Sequence, residues 1–161
     1  MFLYIGISAV LFAAALLSRE YSRYMKKRLA ECEAYLAFIG NMKIQVGCFM
    51  RPLSELCENF SSDALEKTGF TDALRSEKNI YAAYKASESA LSLSEDEKEV
   101  LRLLFSSVGE CYLSEGVKII DAAYAKMDGF YRELKSECPR STKLVSVLSA
   151  TLAVGFLILV I

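Results

Sequence analysis

Residues 117–138 read VKIIDAAYAKMDGFYRELKSEC and carry the clearest structural signal in the chain. Apolar side chains recur there at every third or fourth position: Val117, Ile120, Tyr124, Met127, Tyr131, Leu134 and Cys138. Such a repeat places these side chains along one face of an α-helix. The sequence therefore predicts one long amphipathic helix over residues 116–143, with Tyr124 and Tyr131 in the core. Pro139 cannot donate a backbone hydrogen bond, so we expect a kink or a break within residues 135–140.

A second stripe of the same kind lies near the start of the chain. Its members are Met25, Leu29, Cys32, Leu36, Ile39 and Val46. Lys43 interrupts the stripe where an apolar residue is due, and Gly47 favours a helix end. Residues 19–46 and 116–143 are 28 residues each. As helices they would be about 42 Å long, and we expect them to pack antiparallel along their stripes.

The segment between these two helices has signals for short helices. Pro52 opens a predicted helix that ends near residue 60, and residues 71–76 and 79–90 favour two more. Ser94 and Glu97 have the spacing of a capping box, in which each side chain bonds a backbone amide of the other residue at the start of a helix. No strand-like alternation and no hairpin turn signal interrupt this pattern. The sequence therefore predicts an all-α fold.

The two ends of the chain are uncharged. Residues 2–18 and 144–161 contain no ionisable side chain, and as helices they would be about 26 Å long, near the lower limit for crossing a bilayer. A cleaved signal peptide is the competing interpretation of the first segment, but only Met1 precedes the apolar run. A buried core helix is the alternative for the last segment. We expect two transmembrane helices, residues 2–18 and 144–161, with a domain of residues 19–143 between them.

Lysine and arginine residues cluster beside both uncharged segments. We define the basic collar as seven of these residues: Arg19, Arg23, Lys26, Lys27, Arg28, Arg140 and Lys143. Because lysine and arginine concentrate on the cytoplasmic side of membrane proteins, we expect residues 19–143 in the cytoplasm and both termini outside. The basic collar would then contact anionic lipid headgroups. The predicted architecture is a membrane hairpin that carries a cytoplasmic, antiparallel bundle of about six helices.

The centre of the chain is acidic. Residues 31–128 contain ten basic and 17 acidic side chains. This balance favours a basic protein partner, although a solvated surface that aids solubility explains it equally well. We interpret the Arg28–Glu31 spacing as such a solvated helix face. The candidate partner-binding residues are Glu95, Asp96, Glu97, Glu99, Arg51 and Pro52.

The composition excludes several functional classes. The chain has no histidine, which removes the usual general base and the commonest metal ligand. Its five cysteines form no C-x-x-C pair, so we expect reduced, buried thiols rather than a disulfide framework or a zinc site. A net charge of −1 gives no reason to expect nucleic acid. No phosphate-binding glycine loop or nucleophile motif is present. We predict no catalytic residue, no metal and no cofactor, and therefore no enzyme.

Four features follow one another along the chain: the first apolar segment with its basic flank, Pro52-Leu53-Ser54-Glu55-Leu56, Leu93-Ser94-Glu95-Asp96, and the long helix before the last apolar segment. In the order of these features and in length, the whole chain resembles the stage III sporulation protein AB family. The chain departs from the family where Ser149 and Ala150 replace a glycine-rich start of the last span, and at Glu115-Gly116-Val117, where a polar, glutamine-like residue is usual. These departures affect the last span and the turn before the last long helix.

The resemblance implies a function as well as a fold. Family members are similar to the platform component of type II secretion and type IV pilus machines. It implies a location in the mother-cell membrane around the forespore. The implied partners are a secretion-type ATPase acting in trans and the other membrane and ring-forming subunits of the same assembly. The alternative hypothesis is a membrane-bound regulator that senses a small ligand or lipid. Self-association is left open.

Overall fold

The computed structural model describes residues 2–48, 60–77, 79–108 and 113–160. Six α-helices and one 3-10 turn lie in these ranges, and no strand does: α1 (Phe2–Cys48), α2 (Asp63–Glu66), α3 (Phe70–Ser76), α4 (Ile80–Ser87), the 3-10 turn (Glu88–Ala90), α5 (Glu95–Val108) and α6 (Leu113–Val160). The all-α prediction is therefore confirmed. The predicted helix of residues 52–60 falls almost wholly outside the described residues, as do Arg51 and Pro52 themselves.

The chain divides into two compact units. The terminal unit comprises residues 1–27 and 134–161, and the central unit comprises residues 28–133. All six helices contribute residues to the central unit, which lies inside the predicted domain of residues 19–143. The central unit is a helical bundle, so that part of the predicted architecture is confirmed.

An aromatic cluster fills the core of the central unit. Its buried members come from four different helices: Tyr35, Phe38, Phe70, Tyr84 and Phe105. The ring centroids of Tyr35 and Phe70 are 5.3 Å apart, and those of Tyr84 and Phe105 are also 5.3 Å apart. Rings at these separations attract one another beyond the gain from burying their area. The cluster therefore links α1, α3, α4 and α5.

Local sequence signals explain where the short helices begin. Gly69 precedes α3 with a φ of 77°, which lies in the left-handed region that residues with a Cβ rarely adopt. The side chain of Asn79 accepts a hydrogen bond of 2.8 Å from the backbone N–H of Tyr81 and caps α4. The predicted helices at residues 71–76 and 79–90 correspond to α3 and to α4 with its 3-10 turn. Both predictions are confirmed.

Within the central unit, α1 and α6 run antiparallel, as predicted. Lys43 Nζ lies 2.9 Å from Asp121 Oδ1, and a Cβ on Gly40 would meet the Tyr124 ring at 3.4 Å, so ascending positions on α1 meet descending positions on α6. The ion pair explains why a lysine interrupts the first apolar stripe. Tyr124 is only half-buried because its ring lies against exposed Lys43, and Tyr131 is also half-buried. The prediction that both tyrosines belong to the core is wrong.

Of the predicted kink or break at Pro139, the break is wrong, and the kink stays a prediction. The helix α6 continues through Pro139 from Leu113 to Val160. The hydroxyl of Thr142 donates a hydrogen bond of 2.6 Å to the carbonyl of Cys138, so a polar side chain supports the backbone beside the proline. In the described residues, no helix is both long enough and apolar enough to cross a membrane. The predicted transmembrane hairpin is therefore not confirmed.

Candidate docking groove

The start of α5 is organised by the capping box that the sequence predicts. The backbone N–H of Glu97 donates to Ser94 Oγ at 3.3 Å, and the backbone N–H of Ser94 donates to Glu97 Oε2 at 2.7 Å. Both donors would otherwise lack a partner inside the helix. Acidic residues also suit the first turn because the helix dipole is positive there. These bonds determine where α5 begins.

The carboxylate of Glu97 has a second role inside the bundle. Glu97 is fully buried, and Arg28 of α1 holds it with two hydrogen bonds, Nε to Oε2 at 3.1 Å and Nη2 to Oε1 at 2.8 Å. A buried carboxylate requires such compensation for its lost hydration. Glu97 is therefore not part of an exposed docking surface, and that sequence assignment is corrected. Arg28 of the basic collar makes this ion pair, and its contact with a membrane surface stays a prediction.

A second buried carboxylate, that of Glu31, lies on α1 one helical turn after Arg28. Glu31 is buried, and its Oε2 accepts a hydrogen bond of 2.7 Å from the backbone N–H of Ser92. The interpretation of Glu31 as part of a solvated helix face is wrong, because the segment before α5 covers it. Glu31 and Glu97 together hold this segment against α1.

A groove between α5 and α6 lies on the surface of the central unit. Its volume is about 550 Å³, and its lining consists of Asp96, Glu99, Val100, Leu103, Ala125, Lys126, Gly129, Phe130 and Glu133. The apolar side chains of the lining, which we call its apolar floor, come from both helices, and three carboxylates and one ammonium group are the charged members of the lining. We call this feature the acidic groove.

Leu103 distinguishes the acidic groove from the rest of the bundle surface. Its side chain is 57% exposed, and Ile44 is the only other exposed large apolar residue among the described residues of the central unit. Gly129 adds space, because a Cβ at this position would meet no atom within 4 Å. An apolar floor with a negative rim suits an amphipathic helix that carries basic residues.

The structure brings some of the predicted partner-binding residues together. Asp96 and Glu99 line the acidic groove and are exposed. Glu95 is exposed on the same helix but is absent from the groove lining, and its carboxylate lies 3.4 Å from Lys98. Sequence reasoning missed Leu103 on α5 and Phe130 on α6. Both are apolar residues outside the predicted stripes, and that was the signal that could have identified them.

An ion network stabilises the junction between α4 and α5. Glu88 accepts hydrogen bonds from Lys85, at 2.8 Å, and from Arg102. These two donors, Lys85 first, hold the pKa of Glu88 below its usual value. The hydroxyl of Tyr84 donates to the backbone carbonyl of Lys98 at 3.0 Å. The acidic groove therefore lies on a helix that several polar contacts fix in place.

The other members of the basic collar lie in the terminal unit, within the described residues. Arg23 pairs with Glu20 at 3.1 Å, and the side chains of Arg19, Lys26, Arg140 and Lys143 are exposed. Lys27 is also exposed. These side chains are exposed, whereas Arg28 is joined to buried Glu97 by two hydrogen bonds.

Cys32 and Cys138 behave as buried apolar residues. Cys32 and Cys138 are free and buried, and burial raises the pKa of the Cys32 thiol to about 12. A thiol with this pKa is protonated at neutral pH and is a poor nucleophile. Within the ranges that the structure describes, no three ligand-type side chains are grouped as a metal site requires.

Over its described residues, the chain is an all-helical bundle protein with an acidic, partly apolar surface groove. It matches the stage III sporulation protein AB (spore_III_AB) family over residues 4–161 and belongs to that family. This is a sporulation family and not a known enzyme family. Neither the curated proteins nor the solved structures that were searched include a significant match.

Proposed function

We propose that this protein is a non-enzymatic platform subunit of a secretion-like membrane assembly required for endospore formation. In this role, the terminal unit anchors the chain in the mother-cell membrane around the forespore. The central unit docks a secretion-type ATPase acting in trans, together with other membrane and ring-forming subunits. Family membership supports a sporulation role, and the acidic groove is the observation that carries the docking proposal.

The surface of the terminal unit supports the membrane anchor. Its described residues include nine exposed large apolar side chains: Phe12, Leu16, Leu17, Tyr24, Leu144, Val147, Leu148, Leu152 and Val154. Large patches of exposed apolar side chains are rare on soluble monomers and mark sites that contact lipid or protein, so nine such side chains in one unit support contact with lipid. With both uncharged segments crossing the bilayer, residues 19–143 face the cytoplasm and both termini face outside.

Membrane anchoring is tested by extraction of cell membranes at alkaline pH. We expect the full-length chain to stay with the lipid pellet, as an integral protein does. Reporter domains fused to each terminus should be active only in the form that requires export. Complete release of the chain into the supernatant would contradict the anchor, and a cytoplasmic reporter at either end would contradict the topology.

The acidic groove supports docking through both its charge and its shape. Asp96, Glu99 and Glu133 place negative charge beside the apolar floor of Leu103 and Phe130. Complementary charges speed association and select partners, while the apolar floor provides contact area for affinity. The expected contact on the ATPase is therefore an amphipathic helix whose polar face carries lysine or arginine. The chain needs no nucleotide site of its own if its partner hydrolyses ATP.

A matched pair of charge reversals tests this dock. Asp96→Lys with Glu99→Lys inverts two exposed groups of the acidic groove, and Glu33→Lys with Glu77→Lys inverts two exposed groups that do not line it. In copurification from detergent extracts, we expect the amount of ATPase bound to the first variant to fall at least about tenfold relative to the unchanged chain. The control variant should bind as much ATPase as the unchanged chain. Equal retention by both variants would exclude the acidic groove as the dock. Glu97 is left unchanged because it is buried.

A further inference from the structure

The terminal unit contains a second groove with the opposite charge. Its volume is about 670 Å³, and residues of both α1 and α6 line it. The lining has three cationic side chains, five serine or threonine hydroxyls and three alanines, and no carboxylate is among these residues. We call it the cationic groove. The three cations are Arg19, Arg23 and Lys26.

The cationic groove is charged along only part of its length. Arg19, Arg23 and Lys26 are spaced four and three residues apart, so they share one face of α1. The α1 lining that precedes them is uncharged and begins at Ala14 and Ala15. From Ala14 to Lys26 the helix rises by about 18 Å. The cationic groove thus joins a charged section to a section lined by small, uncharged side chains.

The α6 side of the cationic groove repeats this gradation without adding charge. Thr142, Ser146, Ser149 and Ala150 line it, and the last three lie within the uncharged segment of residues 144–161. Large apolar side chains are exposed elsewhere on the same stretch, at Leu144, Val147 and Leu148. The small side chains therefore leave a channel in a surface that is otherwise bulky and apolar.

We propose that the cationic groove binds one anionic phospholipid molecule. Its phosphate lies among Arg19, Arg23 and Lys26, and an acyl chain follows the alanines of the uncharged section. Basic pockets between membrane helices bind lipid headgroups in this way, and charge-assisted bonds to phosphate are strongest where water is scarce. The inference rests on the membrane anchor proposed above. It adds a ligand class and a specific site to that anchor.

Charge and side-chain size favour a lipid over a protein helix as the occupant. Three cations without a carboxylate in the lining favour an anionic occupant, and a phosphodiester supplies the negative charge on a molecule that also carries apolar chains. Arg23 has Glu20 as a neighbour at 3.1 Å, but both groups are exposed and Arg23 remains part of the lining. A protein helix would have to bring its own carboxylates to the charged section.

Native mass spectrometry of the full-length chain in a non-ionic detergent tests the proposal. Phosphatidylglycerol and phosphatidylcholine with identical acyl chains are titrated against the protein. We expect phosphatidylglycerol to bind at one site at least about tenfold more tightly, because phosphatidylcholine has no net negative charge. Equal binding of the two lipids would overturn the proposal. Displacement of bound phosphatidylglycerol by inorganic phosphate or by glycerophosphoglycerol at similar concentrations would overturn the role of the acyl chain.

Three variants locate the site. Arg19→Gln with Lys26→Gln removes two cations of the lining, whereas Arg140→Gln with Lys143→Gln removes two exposed cations of the same unit that do not line the cationic groove. Ser146→Leu keeps every charge and fills the channel. We expect about a tenfold loss of phosphatidylglycerol affinity in the first and third variants and no more than about a twofold loss in the second. Equal losses in the two charge variants, or unchanged binding by Ser146→Leu, would overturn the groove as the site.

The outcome separates this inference from the proposed function. A chain that resists alkaline extraction but shows no preference for phosphatidylglycerol keeps its anchor and overturns the lipid site. A chain that is released at alkaline pH but binds phosphatidylglycerol selectively, with the expected response of the three variants, keeps the site and overturns the anchor.

Discussion

The two units of this chain differ in whether their large apolar side chains are buried or exposed. The central unit buries its aromatic cluster and two carboxylates, and among its described residues only Ile44 and Leu103 are large, apolar and exposed. In the terminal unit nine such side chains are exposed. Among its described residues, the buried apolar side chains are those of Met25, Leu134 and Cys138. In water, burial of apolar side chains stabilises a fold, whereas exposure of many large apolar side chains is unfavourable. The comparison indicates that the central unit is stabilised by its own core, whereas the exposed apolar side chains of the terminal unit support the membrane anchor that we propose.

Removal of the partner of Glu97 should have the largest effect on the central unit. In Arg28→Met the apolar part of the side chain remains, but a buried carboxylate loses its two charge-assisted hydrogen bonds. We expect the free energy of unfolding to fall by about 3–5 kcal/mol. Denaturant unfolding of the full-length chain in detergent, followed by near-ultraviolet circular dichroism of the aromatic cluster, measures this loss.

The matched control is Arg19→Met, which removes an exposed arginine of the terminal unit. This control should leave the unfolding midpoint of the aromatic signal nearly unchanged. The double variant Arg28→Met with Glu97→Gln should recover much of the stability, because no charge of the pair then remains buried and the glutamine amide oxygen can still accept from the backbone N–H of Ser94. Equal losses for Arg28→Met and Arg19→Met would mean that the Arg28–Glu97 pair does not stabilise the central unit.

The pair also marks what the sequence can and cannot predict about the site. The Ser94–Glu97 spacing predicts the capping box because both residues lie in one helical turn. The partner of Glu97 comes from 69 positions away, and no local spacing indicates that contact. The acidic groove has the same limitation. Asp96 and Glu99 were identifiable as acids at the start of a helix, but Gly129 and Phe130 join them only through packing.

The same limit applies to the fold: local features were predictable from the sequence, whereas contacts between distant residues were predicted less well. The helix α2 was not predicted, but the other described helices, their order and the antiparallel pairing of α1 and α6 follow from periodicity and helix-start signals. The buried face of α1 was predicted less well, because Tyr35 and Phe38 are buried while Leu36 of the predicted stripe is half-buried. In the central unit, α1 packs both against α6 and against the aromatic side chains of α3, α4 and α5. A single stripe describes one contact, and this helix has several.

A charge placed on each surface should distinguish the two units next. Leu148 in the terminal unit and Leu103 in the central unit are both 57% exposed, so solvent exposure alone makes them equivalent. If the terminal unit faces lipid, Leu148→Arg costs up to about 2.5–3.5 kcal/mol of membrane insertion, as arginine does at the centre of a transmembrane helix. We expect a larger fraction of this variant to be released by alkaline extraction.

Leu103→Arg provides the comparison on the other unit. It should remain in the membrane pellet like the unchanged chain, and it should retain less ATPase because it places a positive charge in the acidic groove. The same extraction and copurification assays are applied to both variants. If both arginines leave extraction unchanged, the apolar surface of the terminal unit does not face lipid.

Gly129 allows the stability of the central unit to be separated from its docking. Gly129→Ala should raise the free energy of unfolding by about 1 kcal/mol, because alanine favours the helix and its Cβ meets no atom within 4 Å. Gly129→Trp places a ring at the floor of the acidic groove and should reduce ATPase retention. Gly155→Ala, at an equally open position of the terminal unit, should leave the unfolding of the central unit unchanged. A destabilised Gly129→Ala variant would contradict the open geometry of the acidic groove.

The smallest expected effect is a pH dependence that belongs to the central unit alone. Lys85 and Arg102 hold the pKa of Glu88 below its usual value in the folded chain, so the ionised carboxylate favours folding at neutral pH. This contribution is complete above the pKa of the unfolded chain and is lost as the pH falls through the lower pKa of the folded chain. In Glu88→Gln the melting temperature should lie below that of the unchanged chain at about pH 7, and the difference should narrow towards about pH 3.

Glu77→Gln, which removes an exposed carboxylate after the end of α3, is the control and should show no such convergence. A constant difference between Glu88→Gln and the unchanged chain across this range would mean that the glutamine acts through altered packing, and that the charge of Glu88 contributes nothing to the junction of α4 and α5.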